Sequence, residues 1–192
     1  MSQKLDIIIR RKEEIRKETI RRLRDQEPSL REERSRKIQE ELLSSEEFRD
    51  SKTVMTYVSL PTEVATDYFN KEALKQGKRV AVPYVDTNNQ TIIASELTAI
   101  ECLEKGPFGI HHPKDGLAKK IPLKEIDLIV IPAIAYDKKN MRLGRGKGYY
   151  DRFLTSEELS SSTTIGLAFR FQVVETLPAC SHDRPVSRVI TD

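Results

Sequence analysis

The chain has 192 residues, 38% of them hydrophobic and 33% charged, which is enough for one domain with its own core and short for two. Thirty-three basic and 30 acidic side chains leave a formal charge of only +3. That balance argues against a dedicated nucleic-acid binder and suits a small anionic substrate.

Cys102 and Cys180 stand far apart with no CxxC pair, which argues against a thiolate zinc site or a dithiol redox motif. Two reduced, partly buried thiols are expected. The start, Met1-Ser2-Gln3-Lys4, carries no apolar run of signal-peptide length. The longest apolar run, 128–135, is too short to span a bilayer. The expectation is a cytoplasmic, monomeric protein of a single domain over 1–192, with small-molecule partners, no nucleic acid and no membrane.

Residues 3–24 predict a helix, with Leu5, Ile8, Ile15, Ile20 and Leu23 near one stripe. Nine basic and four acidic residues in 1–24 give that stretch a local charge of +5. Pro28 is expected to end it, and Ser29-x-x-Glu32 reads as a capping box for a second helix reaching about Leu43. Thr53–Ser59, rich in β-branched and aromatic residues, predicts a strand. A helix over 66–76 stopped by Gly77, then a strand over 79–83, completes a strand-helix-strand unit that favours a parallel pair. A further strand is expected over 91–98, and a loop over 104–116, which holds Gly106, Pro107, Gly109, Pro113 and Gly116. Asp127–Ala133, nearly all apolar, predicts a central strand covered on both faces. Strands over 163–169 and 186–191 close the sheet.

The run Arg142-Leu143-Gly144-Arg145-Gly146-Lys147-Gly148-Tyr149-Tyr150-Asp151 follows the buried strand and precedes a short helix predicted from Tyr149 to Leu154. In open α/β sheets ligands bind at that end of the strands. Glycines let backbone N–H groups approach an anion, a helix start adds its dipole, and Arg145 and Lys147 add full charges. Neither the P-loop nor the dinucleotide fingerprint fits, since Gly148 follows the lysine and Gly144, Gly146 and Gly148 are evenly spaced. The competing reading is a solvated basic turn. Two other functions stay open on these residues: an RNA-associated module using the basic N-terminal helix, and a kinase or phosphatase of another small substrate.

The segments Ile131-Pro132-Ala133-Ile134-Ala135-Tyr136-Asp137 and Arg142 to Leu154 resemble the 5-formyltetrahydrofolate cyclo-ligase family, also called methenyltetrahydrofolate synthetases. The resemblance runs along essentially the whole chain, through Lys12-x-x-x-Arg16, Thr62-Glu63, Gly109-Ile110 and His182-Asp183. It implies a three-layer α/β domain around a mixed, largely parallel sheet, similar to sugar-phosphate isomerase and CoA-transferase-like folds. It implies ATP- and Mg²⁺-dependent closure of 5-formyltetrahydrofolate to 5,10-methenyltetrahydrofolate, with release of ADP and phosphate. It implies that Arg142, Leu143, Gly144, Arg145, Gly146, Lys147, Gly148, Tyr149 and Tyr150 cradle the ATP phosphates, that Lys12 and Arg16 close over the nucleotide, and that Arg145 and Lys147 carry the chemistry. Val58, Glu63 and residues 145–149 would face the folate, and Asp151 and Asp183 would ligate magnesium. Glu63 could accept two N–H bonds from the amino-pyrimidine edge of a pterin.

Without the resemblance, Lys12 and Arg16 read as a solvated helix face, Glu63 as a loop carboxylate, Asp183 as a turn cap, and the two tyrosines as core aromatics. The chain departs from the family pattern at His111-His112, where glutamate is more usual before the proline, and at Ser187, where aspartate is more usual. The adjacent histidines form a weak metal motif with no third ligand in view.

Overall fold

The computed structural model describes residues 2–114, 118–180 and 183–192; Met1, Gly116 and His182, noted in the sequence, lie outside the described residues. The helices are α1 (Ser2–Arg24), α2 (Pro28–Ser44), α3 (Glu46–Asp50), α4 (Asp67–Lys75) and α5 (Tyr149–Phe153). The strands are β1 (Thr53–Met55), β2 (Arg79–Asp86), β3 (Thr91–Leu97), β4 (Leu103–Lys105), β5 (His111–Pro113), β6 (Leu128–Ile131), β7 (Ala135–Asp137), β8 (Arg142–Leu143), β9 (Thr163–Ala168), β10 (Val173–Val174) and β11 (Arg188–Thr191). The central sheet has the order β11-β9-β6-β1-β2-β3, parallel throughout except for the β2–β3 pair. A smaller sheet, β10-β7-β8, follows from β6 and leads into the glycine-rich loop.

Strand residues alternate between two apolar layers, as the pleat requires. Val54, Val80, Val82, Leu128, Val130, Ile165 and Leu167 pack with Leu23, Ile38, Leu42, Phe48 and Phe69 from the helical side. Met55, Ala81, Ile129 and Ile131 face Ile121, Ile126, Tyr136, Phe153 and Leu159 on the other. The result is three layers around a mixed, largely parallel sheet. The expected parallel pair of β1 and β2 is present, and all four residues of β6 are buried between β1 and β9.

Several elements differ from the sequence reading. Helix α1 ends at Arg24, four residues before Pro28, and Pro28 opens α2. The cap is Glu27, not Ser29: its carboxylate accepts from the amides of Ser29 at 3.1 Å and Leu30 at 2.8 Å. A carboxylate can supply the acceptor, and proline at the first position loses no intrahelical donor. Of the α1 stripe, Ile15, Ile20 and Leu23 dock on the body, whereas Leu5 stays 49% exposed. Strand β1 stops at Met55. Thr56 still donates to Ala81 O at 2.8 Å, but the carbonyl of Tyr57 then turns to the Thr66 hydroxyl at 2.6 Å and the Asn70 amide at 3.3 Å. Inside the expected loop, β4 and β5 pair as an antiparallel hairpin.

Candidate active site

Two concavities sit at opposite ends of the central sheet. One, of about 770 Å³, lies at the strand N-termini beside Ser51, Asp127, Thr163 and Arg188. Its arginine is already paired with Glu41 and Glu47, and Asp127 accepts from the amides of Lys52 and Thr53, both at 2.8 Å. The other, of about 550 Å³, opens beyond the C-terminal ends of β1 and β6, where parallel sheets present their ligand sites. Lys12, Arg16, Val58, Glu63, the whole run from Arg142 to Asp151, and Asp183 all line this second cleft.

The loop is built by a chain of buried contacts. Tyr136, fully buried in β7, donates to Ile131 O at 2.6 Å. It fits because residue 166 in β9 is glycine: an added Cβ would stand 2.4 Å from the ring. Asp137 then ties the following turn, accepting from the amides of Lys139 at 2.9 Å, Met141 at 3.0 Å and Leu177 at 2.9 Å. Strand β8 pairs back on β7, so Arg142 enters the cleft from a fixed base. Beyond it, Gly146 and Gly148 hold φ of +92° and +70°, the left-handed region that side-chain-bearing residues avoid.

Five cationic and three carboxylate side chains line the cleft, an excess of two positive charges. All three carboxylates are held by cations. Arg142 binds Asp151 at 2.6 Å and the Arg184 carbonyl at 2.6 Å, with its side chain only 2% exposed. That pairing anchors the base of the loop. Lys12 reaches Asp183 at 2.6 Å, and Arg145 reaches Glu63 at 2.9 Å. Arg16 donates to Gly144 O at 2.9 Å, so α1 straps the loop from outside. Among the described residues, Lys147 makes no ion pair or hydrogen bond through its ammonium, which lies 5.9 Å from the centre of the Phe108 ring.

The other wall is apolar and aromatic. Val58, Leu60, Pro83, Val85, Ile92, Ile110, Pro132 and Ala133 line it, with Tyr57 and Phe108. Phe108 was missed in the sequence. It is 57% exposed, holds φ of +58°, and faces Tyr149 at 6.1 Å. The readable signal was an aromatic residue inside a Gly-Pro-x-Gly turn. Tyr150 lines the cleft too, and its buried hydroxyl has no hydrogen-bond partner among the described residues. Burial, reinforced by Glu63 and opposed by Arg142, pushes its titration well above the ordinary tyrosine value, so it stays protonated and keeps a proton to donate.

Helix α5 is a single turn of five residues, so the expected dipole contribution is small beside the side-chain charges. The two departures from the family pattern are structural. His112 is buried, bonded through Nδ1 to Pro113 O at 2.9 Å and packed on Tyr84. Gly106 makes room for that ring, since a Cβ there would lie 2.0 Å from it. Ser187 links β9 to β11 through Thr164, its amide donating at 2.9 Å. No cluster of three or more potential metal-binding side chains occurs among the described residues. No described helix is long and apolar enough to cross a membrane.

The profile of the 5-formyltetrahydrofolate cyclo-ligase family matches residues 8–192. A 5-formyltetrahydrofolate cyclo-ligase of Mus musculus is 30% identical over 184 residues, 92% of this chain and 91% of that one. One from Haemophilus influenzae is 32% identical over 146 residues, 75% of this chain and 78% of that one. The solution structure of Aquifex aeolicus 5,10-methenyltetrahydrofolate synthetase superposes with a TM-score of 0.81 at 33% identity, covering 94% of this chain and 89% of that one.

Proposed function

Because the chain belongs to the 5-formyltetrahydrofolate cyclo-ligase family, we propose that it closes 5-formyltetrahydrofolate to 5,10-methenyltetrahydrofolate at the expense of ATP, in this cleft. The observation that carries the reading is the cleft's division into two unlike halves. A glycine-rich cationic loop, Arg142 to Gly148, faces an apolar and aromatic wall that holds a partly buried carboxylate, Glu63. The first half suits a polyphosphate and the second a flat, largely apolar ring system with N–H donors.

The chemistry has two stages. The formyl oxygen attacks the γ-phosphorus, and the bond to the ADP oxygen breaks. The N10 amine then attacks the formyl carbon, the carbon–oxygen bond breaks, phosphate leaves with that oxygen, and N10 loses its proton. Phosphoryl transfer needs alignment and charge more than covalent help from the protein. Lys147, exposed and without an ion pair among the described residues, is the cation most available to the transferring group, with Arg145 beside it. Arg16 reaches the same loop from α1, and Lys12 lines the same cleft beside Asp183.

Asp151 and Asp183 fit magnesium in donor type: both are oxygen-only groups on the phosphate side of the cleft. Mg²⁺ takes one or two carboxylates and completes its shell with phosphates and water, so two suffice. Each now carries a cationic partner that it would exchange or share. The ion would supply positive charge on the transferring phosphoryl group. The test is an absorbance assay: methenyl-folate should accumulate with ATP and Mg²⁺ and fail to form when either is withheld. Formation without ATP would sink the reading.

A further inference from the structure

Glu63 and Arg145 come from opposite halves of the cleft, Glu63 from the segment after β1 and Arg145 from the glycine loop. One Glu63 oxygen accepts from Arg145 through Nη2 at 2.9 Å and Nε at 3.3 Å. The other accepts from the Leu60 amide at 3.0 Å. Both oxygens are therefore engaged before any ligand arrives. The pair is lopsided: the arginine side chain is 44% exposed and the glutamate 12%. Arginine is the partner that can leave, and the carboxylate is the one that suffers from being left. A largely desolvated carboxylate without a cation is costly, and fresh N–H donors relieve that cost.

We infer that this ion pair couples the two halves of the cleft: an anion that draws Arg145 away uncovers Glu63 for a ligand bearing N–H donors. The coupling is reciprocal by thermodynamic necessity, so a donor ligand on Glu63 equally frees Arg145 for the anion. Lys12 and Asp183, 13% and 10% exposed, form a second ion pair on the phosphate side, there with both partners enclosed. The ligand-free cleft thus carries its own counter-ions, and the polyphosphate is the ligand best able to exchange them. The identities of the two ligands rest on the function proposed above; the coupling rests on the ion pair.

Calorimetric titration of the full chain with 5-formyltetrahydrofolate tests it, first alone and then saturated with tripolyphosphate or with β,γ-methylene ATP. The dissociation constant should fall about 5- to 20-fold with either anion, within the usual span of coupling between sites. Tripolyphosphate lacks the nucleoside, so an effect shared by both anions belongs to the phosphate end. In Arg145→Ala and in Glu63→Gln the ratio should fall to about 1, with anion raised to saturation and folding checked by thermal melting. A ratio near 1 in the unaltered chain, or a full ratio retained in Arg145→Ala, overturns the coupling while leaving the cyclo-ligase reading intact. Absence of any folate binding, with or without anion, overturns both.

Discussion

Arg142, Arg145 and Lys147 look alike in the sequence, and the fold gives them three different tasks. Arg142 is buried in a pair with Asp151, Arg145 bridges to Glu63, and Lys147 projects without a charged partner among the described residues. Residue type and glycine spacing made the loop legible; burial, which decides between the three, depends on β7 and β8 and was not. Lys147→Ala should therefore lower kcat about 10²- to 10³-fold, the scale for losing one preorganised charge contact in a transition state. Its melting temperature should hold, because no hydrogen bond or ion pair is lost. Near-normal turnover in a folded variant would remove it from the chemistry. The carboxylates allow a separate check. Asp151→Asn and Asp183→Asn should each raise the Mg²⁺ concentration for half-maximal activity. Both also loosen a cation, Arg142 or Lys12, so the metal curve is the informative readout and the rate alone is not. Unchanged curves in both variants would end the metal assignment.

Periodicity located the elements that bury a face, and it failed where backbone polar groups found unexpected partners. β6, a short apolar run, and the strand-helix-strand unit around α4 were readable for that reason. The segment from Thr56 to Ser59 has strand composition, yet the Tyr57 carbonyl is claimed by Thr66 and Asn70, and the chain leaves the sheet. That exit places Val58 and Glu63 in the cleft, so the misread stretch is one that lines the candidate site. Glycine and proline hid the β4–β5 hairpin, in which His112 packs over Gly106. Two predictions belong to this scale. Arg16→Ala removes the strap from α1 to Gly144; it should raise KM for ATP severalfold, while stability falls by about 1 kcal/mol, the usual worth of one such bond. A stability loss with unaltered KM would return Arg16 to a purely structural role. Gly166→Ala forces a methyl group into the Tyr136 ring and should cost about 1–3 kcal/mol or more by overpacking, read as a lowered denaturation midpoint. An unchanged midpoint would mean that β7 can shift away from the sheet without penalty.

At the scale of the whole molecule, the parallel sheet sends its strand ends, its glycine loop and its strapping helix to one side, and so gathers two chemically distinct half-sites in one cleft. The sequence motif pointed to the phosphate half, whereas the apolar half comes from scattered positions that only the three-layer packing unites. Placing two reactants side by side is useful only if a group passes between them. The formyl oxygen must be expelled from carbon for the ring to close. As hydroxide it would leave slowly at neutral pH; as phosphate it leaves readily, and the loop from Arg142 to Tyr150 is suited to bring that oxygen into line with a γ-phosphorus. The fate of the oxygen decides whether it does. With ¹⁸O in the formyl group and ordinary ATP, a single turnover should deliver the label to inorganic phosphate and leave none in water. Mass spectrometry of the released phosphate reads this directly, and it is independent of which side chain does what. Label appearing in water would mean that the formyl group is never phosphorylated. ATP hydrolysis would then have to drive closure through a change in the protein, and the two half-sites would be coupled by conformation rather than by transfer.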